Sequence, residues 1–214
     1  MKVIDCEQNS PEWFSARLGH VTASRIADVT AKGKAGAPSA SRANYAAQLV
    51  AELLTGKLAE TFTSAAMQHG TETEPEARAM YEFMNDTPIT QVGFVLHPTI
   101  VRAGASPDGL IGSNGIVQFK CPQSAAHLKL LLGGSIDGGY FKQVQWEMAC
   151  TERAFCDFAS YDPKMPEDMQ LHVRRIERDD AVIAELEAEA RVFIAEIDAP
   201  IAKLNAKYRQ PIAA

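Results

Sequence analysis

The chain has 214 residues, of which 46% are hydrophobic, and a net charge of −6. That length and apolar content suit a single domain with a sizeable core. They exclude a membrane-spanning chain, since no apolar run is long enough, and the acidic balance argues against a surface coated uniformly by nucleic acid.

The charge is uneven. Residues 1–58 hold seven Lys and Arg against five Asp and Glu, whereas 177–199 hold two against eight. An acidic exterior can coexist with a basic channel. The first residues, Met1 to Cys6, lack the apolar segment of a signal peptide. The expectation is an intracellular chain, in the cytoplasm of a bacterial host cell. Cys6, Cys121, Cys150 and Cys156 form no C-x-x-C pair, so reduced thiols are expected rather than disulfides or a zinc site.

In chain order, Ser10-Pro11 opens a helix, with Ser10 as N-cap and Pro11 at the first helical position. Gly19 is placed to end it, and a second helix begins near Thr22-Ala23-Ser24. Arg17 and Ser24 flank the turn. A guanidinium forks onto phosphate oxygens and a hydroxyl donates one more bond; a surface Arg and a helix cap are the plainer account. Ala31 to Ser41 is a loop by composition. Lys32, Lys34 and Arg42 make it basic, suited to sequence-independent contact with a DNA backbone or simply solvated. Residues 42–55 form an amphipathic helix with Tyr45, Leu49 and Leu53 on one face, stopped by Gly56.

Thr63 to Met84 reads as a long helix bent at Pro75, with Glu72, Glu74 and Glu76 around the bend. Residues 89–96 and 99–103 form a strand pair around His97-Pro98. Helices follow over 124–132 and 137–150, and the second puts Gln143 and Glu147 on one face, a turn apart. Strands over 154–161 and 170–176 finish the sheet, with Arg174 and Arg175 on opposite faces. An acidic helix from Asp179 to Tyr208 closes the chain, bent or broken at Pro200.

The stretch from Ala105 to Pro122 organises the rest. It reads as two short strands joined by a tight turn. Alternation puts Gln118 and Lys120 on one face and turns Val117 and Phe119 into a core. Asp108 joins the polar face only across an odd loop. A three-residue loop, Ser113-Asn114-Gly115 with a glycine bulge, puts Asp108 opposite Lys120; a kink at Pro107 has the same effect.

An Asp, a second acidic position and a Lys grouped in this way resemble the PD-(D/E)xK nuclease core. Further words occur in the order seen in the lambda-exonuclease/YqaJ family of viral recombinases. They are Arg17-Leu18-Gly19-His20-Val21-Thr22-Ala23-Ser24, His69-Gly70-Thr71-Glu72-Thr73-Glu74, Ser106-Pro107-Asp108-Gly109, Lys120-Cys121-Pro122, Gln143-Val144-Gln145 and Tyr161-Asp162-Pro163. The resemblance covers nearly the whole chain.

It implies a mixed α/β fold, a restriction-endonuclease-like core whose central mixed sheet is flanked by helices. The whole of 1–214 would be one exonuclease domain, with an N-terminal helical end-binding region and a C-terminal helix. The implied activity is 5′→3′ digestion of linear double-stranded DNA to mononucleotides and a 3′ overhang, in phage-type recombination. Mg²⁺ or Mn²⁺ would be held by Asp108, the side chain at 118, Glu74 and the Val117 or Phe119 backbone. Lys120 would assist the chemistry, Gln143 would stand at the rim, and His69 would border the site. Arg17, Ser24 and Ser106 would take the 5′-phosphate. A ring-shaped homotrimer and a single-strand annealing partner are also implied.

The chain departs from the family at Gln118, where the family has Glu. A neutral amide is a poorer ligand for a hard cation than a carboxylate. The expectation is slow cleavage or none, by deliberate alteration more readily than by natural inactivation, since Gln is nearly isosteric with Glu and the other words are intact. A non-catalytic DNA-end-binding protein and an endonuclease of the same fold are the alternatives.

Overall fold

The computed structural model describes residues 1–34, 37–59 and 64–209. The tip of the basic loop and the expected helix start at Thr63 lie outside them. Nine strands and seven α-helices alternate along the described chain. They are β1 (Lys2–Ile4), α1 (Pro11–Arg17), β2 (Val21–Thr22), α2 (Ile26–Val29), α3 (Ala40–Thr55), α4 (Ala65–Asn85), β3 (Ile89–Thr90), β4 (Phe94–Leu96), β5 (Ala103–Ala105), β6 (Gly109–Ile111), β7 (Gly115–Lys120), α5 (Ser124–Leu131), α6 (Gly138–Thr151), β8 (Phe155–Tyr161), β9 (Leu171–Glu177) and α7 (Asp180–Tyr208).

The strands form two sheets rather than one. A five-stranded sheet runs β3-β6-β7-β8-β9, and a four-stranded sheet runs β1-β4-β5-β2. Both are mixed: β7 and β8 pair in parallel, as do β2 and β5. The expected pair over 89–96 and 99–103 is corrected here. Its first segment splits, β3 joining β6 in one sheet while β4 joins β1 and β5 in the other. Gly93 marks the change. A Cβ there would lie 2.4 Å from the Ile4 carbonyl oxygen, so only glycine lets the two backbones approach.

Local signals explain the helix ends. Ser10 accepts from the Trp13 N–H ahead of Pro11, and Gly56 adopts a left-handed φ of 66° after α3. The segment after Thr22 opens as a 3-10 turn, Ala23–Arg25, before α2. Pro200 neither breaks nor ends α7, and α4 likewise runs through Pro75. Each proline forfeits one backbone bond, yet these helices of 29 and 21 residues continue past it.

One face of the five-stranded sheet, through Val117, Phe119, Ala159 and Tyr161, packs on Ala77 and Tyr81 of α4. The other, through Ile116, Cys156 and Phe158, packs on Val144 and Met148 of α6. Trp146 of α6 belongs to a third cluster with Tyr45, Leu49, Phe193 and the four-stranded sheet. Helix α6 therefore serves both sheets, and every residue from Val144 to Thr151 is buried. The four cysteines are free thiols, Cys150 and Cys156 buried. No helix among the described residues is long and apolar enough to cross a membrane.

Arg42 does not join the basic loop. It is buried, donates to the Val29 carbonyl, and pairs with Glu189 and Glu196 of α7 at 3.2 and 2.9 Å. Its charge is committed to α7, so it is a clamp on the fold and not a DNA contact. Arg42→Ala should cost about 2–3 kcal/mol through the lost pair and the orphaned carbonyl. Thermal melting should show a drop of roughly 5–10 °C.

Candidate active site

The central hairpin sets the site. Pairing of Ile111 with Gly115 leaves a three-residue loop, Gly112-Ser113-Asn114, and places Gly109 opposite Val117. The loop is odd, as the polar face requires, but lies one residue earlier than the sequence suggests. The left-handed residue is Gly112, at φ 48°, and not Gly115. Asp108 therefore comes level with Gln118 instead of Lys120.

Beyond Gly109 the Pro107 carbonyl accepts from Gln8 Nε2, at 2.9 Å, and not from β7. The Asp108 side chain takes over there. Its Oδ2 accepts from the Phe119 N–H at 2.6 Å and from Gln118 Nε2 at 2.5 Å. Gln143 of α6 donates to Gln118 Oε1 at 3.3 Å and to Glu147 Oε1 at 2.9 Å. One polar chain thus runs from strand end to buried helix through Asp108, Gln118, Gln143 and Glu147.

Glu74 of α4 lies close enough to act on Asp108 and is held by Arg78 at 2.6 Å. Its rivals stand apart: Glu72 is exposed and accepts from Gln68, and Glu76 is exposed. His69 contacts Thr73, at 3.3 Å, rather than the carboxylates. Lys120 shares the face of Gln118, acts on Asp108, and carries its ammonium 4.8 Å from the Tyr140 ring centre. Val117 and Phe119 are turned into the α4 core, as alternation predicts. Two clefts flank the site. One of about 320 Å³ is lined by Glu74, Arg78 and Gln8, and one of about 330 Å³ by Lys120, Lys129 and Tyr140.

Arg17 and Ser106 meet through a residue the sequence did not single out. Trp13 Nε1 donates to Ser106 Oγ at 2.8 Å, and the Arg17 guanidinium lies 4.0 Å over the Trp13 ring. Burial pulls the Arg17 pKa down, yet a guanidinium stays charged. Ser24 is exposed and reaches Thr22 Oγ1, at 3.5 Å, rather than Arg17 or Ser106. Lys32 and Lys34 are exposed.

Burial pushes the Asp108 carboxyl up to about 7; the Glu74 charge adds to this, while Lys120, the Phe119 N–H and Arg78 oppose it. Burial likewise pushes Glu147 up to about 8, with the Asp108 charge adding and Gln143 and Lys120 opposing. Glu147 Oε2 is buried and has no hydrogen-bond partner. Two crowded, desolvated carboxyls with an orphaned oxygen are what a divalent cation relieves. The donor set is oxygen-rich and fits such an ion. It is one charged ligand short on the strand, and among the described residues no three acidic, His or Cys side chains form a ready cage. Gln118 and the Glu74–Arg78 pair account for that.

Residues 12–154 match the YqaJ-like viral recombinase domain. The chain belongs to that family. It is similar to an alkaline exonuclease, LHK-Exo, from Laribacter hongkongensis, solved alone and in complex with dAMP. Identity is 49%, covering 92% of this chain and 97% of that one, with a TM-score of 0.86. A phage-related exonuclease from Haemophilus somnus 129PT shares the fold at 14% identity, over 86% of this chain and 96% of that one, with a TM-score of 0.68. ExoD of Escherichia coli K12 is 34% identical over 80 residues, which is 36% of this chain and 91% of that protein. These relationships establish a mixed α/β nuclease fold and a DNA exonuclease family.

Without metal, the folded chain retains the Glu147 proton between about pH 4.5 and 8, where the unfolded chain releases it. Stability must then fall as pH rises through that window, by an amount on the order of a few kcal/mol. Melting in EDTA should show Tm declining from pH 5 to pH 8. The Glu147→Gln variant should flatten that slope and melt higher at pH 8.

Proposed function

We propose that the chain is a divalent-metal-dependent 5′→3′ exonuclease acting on linear duplex DNA, releasing 5′-mononucleotides and leaving a 3′ overhang for recombination. The observation that carries this reading is the closeness of two sites. Ser106, joined through Trp13 to Arg17, is two residues from Asp108. Two extended residues span at most ~7 Å, comparable with one nucleotide of backbone. A phosphate held by Arg17 and Ser106, with Ser24 at the turn, would place the next phosphodiester against Asp108. The dAMP complex of LHK-Exo is consistent with a mononucleotide product.

Asp108, the side chain at 118, Glu74 and the Val117 or Phe119 carbonyl would hold Mg²⁺ or Mn²⁺. A bound ion supplies Lewis-acid polarisation of the phosphodiester and a lower pKa for the attacking water. Lys120 offsets the negative charge that grows on the phosphoryl oxygens. Gln143 fixes the amide at 118 and so orients the ligand atoms. Lys32 and Lys34 would contact the duplex backbone. Family resemblance further supports a threaded homotrimer, a single-strand annealing partner and action in the cytoplasm of a bacterial host.

Gln118 favours one second reading, a DNA-end-binding protein with little or no cleavage. Gln118→Glu discriminates between the two. Mg²⁺-dependent release of nucleotides from 5′-phosphorylated duplex should rise at least tenfold; a revertant that releases none, even with Mn²⁺, refutes the nuclease. In that background Lys120→Ala should lower the rate on the order of 10²-fold or more while metal binding persists. Arg17→Ala should abolish the preference for phosphorylated over hydroxyl ends, measured by competing the two.

A further inference from the structure

Glu147 is the side chain that the nuclease reading leaves unexplained. It lies on α6, four residues beyond Gln143, with no exposed surface. A buried carboxylic acid normally finds partners for both oxygens. Here Oε1 accepts from Gln143 and Oε2 accepts from nothing. The surroundings are not purely apolar either, because Gln143 ties Glu147 to Gln118, and Gln118 donates to Asp108. The Asp108 charge in turn makes ionisation of Glu147 more costly.

The counting is informative. The strand position next to Asp108 carries a neutral amide, and the adjoining helix carries a carboxylate whose second oxygen is free. Gln118 presents its Nε2, a donor, to the Asp108 oxygen that a shared cation would need. Turning that amide over would present Oε1, a neutral ligand, and break the bond from Gln143, while Glu147 Oε1 keeps its own bond from Gln143 and Oε2 stays unpaired. The unpaired Glu147 Oε2 is the anionic oxygen that the helix can offer in place of one from the strand.

We propose that Glu147 supplies the second carboxylate to the divalent-cation site anchored by Asp108, so that α6 offers the acidic ligand that β7 lacks with Gln at 118. The inference rests on the metal-dependent reading above and deepens it. Gln118 is then a ligand of reduced strength in a site that persists, and not the loss of the site. A buried acid retained only for packing would lack this coupling to position 118.

The test is a double-mutant cycle on the intact chain, read by Mn²⁺ calorimetry and by the Mn²⁺-induced shift in Tm. The four proteins are the chain itself, Glu147→Gln, Gln118→Glu, and the two substitutions together. With Gln118 in place, Glu147→Gln should weaken Mn²⁺ binding at least tenfold and remove the Tm shift. With Glu at 118, the same substitution should weaken binding less than threefold, because the strand carboxylate takes over. The Gln replacement is isosteric, and the double variant shows independently whether a folded protein without Glu147 can still bind.

The proposal is overturned if Glu147→Gln changes Mn²⁺ affinity less than twofold while Gln118 is present. It is also overturned if the chain binds no Mn²⁺ but Gln118→Glu both binds it and digests DNA; in that case the nuclease reading stands and this one falls alone. Absence of binding and digestion in all four proteins would overturn both.

Discussion

The Asp108 carboxylate on the Phe119 N–H is the contact on which the site depends. The Pro107 carbonyl accepts from Gln8 instead of from the neighbouring strand, so the Phe119 N–H would be left an unpaired donor. Asp108 fills that place with a side-chain oxygen, at 2.6 Å. The same bond that closes the sheet thus holds a carboxylate at the sheet's end, aimed along the face that carries positions 118 and 120. Structure and chemistry use one group, and the group is desolvated because the sheet is packed on both sides.

That packing explains why the carboxyls are strained electrostatically. Helix α4 covers one face of the sheet with Ala77 and Tyr81, and α6 covers the other with Val144 and Met148. Each helix brings one acidic residue toward Asp108. Glu74 arrives with a counter-ion in Arg78, whereas Glu147 arrives with only an amide. The difference in partners separates a screened carboxylate at the cleft from a desolvated one within the core.

Much of this was legible in the residues. Ser10 before Pro11, and Gly56 after an apolar periodicity, specify helix ends through local chemistry alone. Parity of the hairpin follows from needing Asp108 on the polar face, although which glycine takes the left-handed conformation does not, since Gly112 and Gly115 both satisfy it by type. The family words gave the fold class. Other features depend on partners remote in the chain. Arg42 looks like part of a basic loop until α7 returns to it 154 residues later. The strands β1 and β2 have only three and two residues, too few for a periodicity. Trp13 links Arg17 to Ser106 only once the sheet places Ser106 beside α1. Glu147 carried one local sign, its spacing from Gln143, but nothing in the sequence says that this face of α6 is dry.

Helix α6 belongs to two cores at once, with Trp146 in one and Val144 and Met148 in the other. A segment so placed cannot fray while either sheet stands, because its amides are released only when both layers part. Hydrogen exchange from Val144 to Cys150 would therefore report the stability of the entire molecule, and the polar chain at its surface inherits that rigidity.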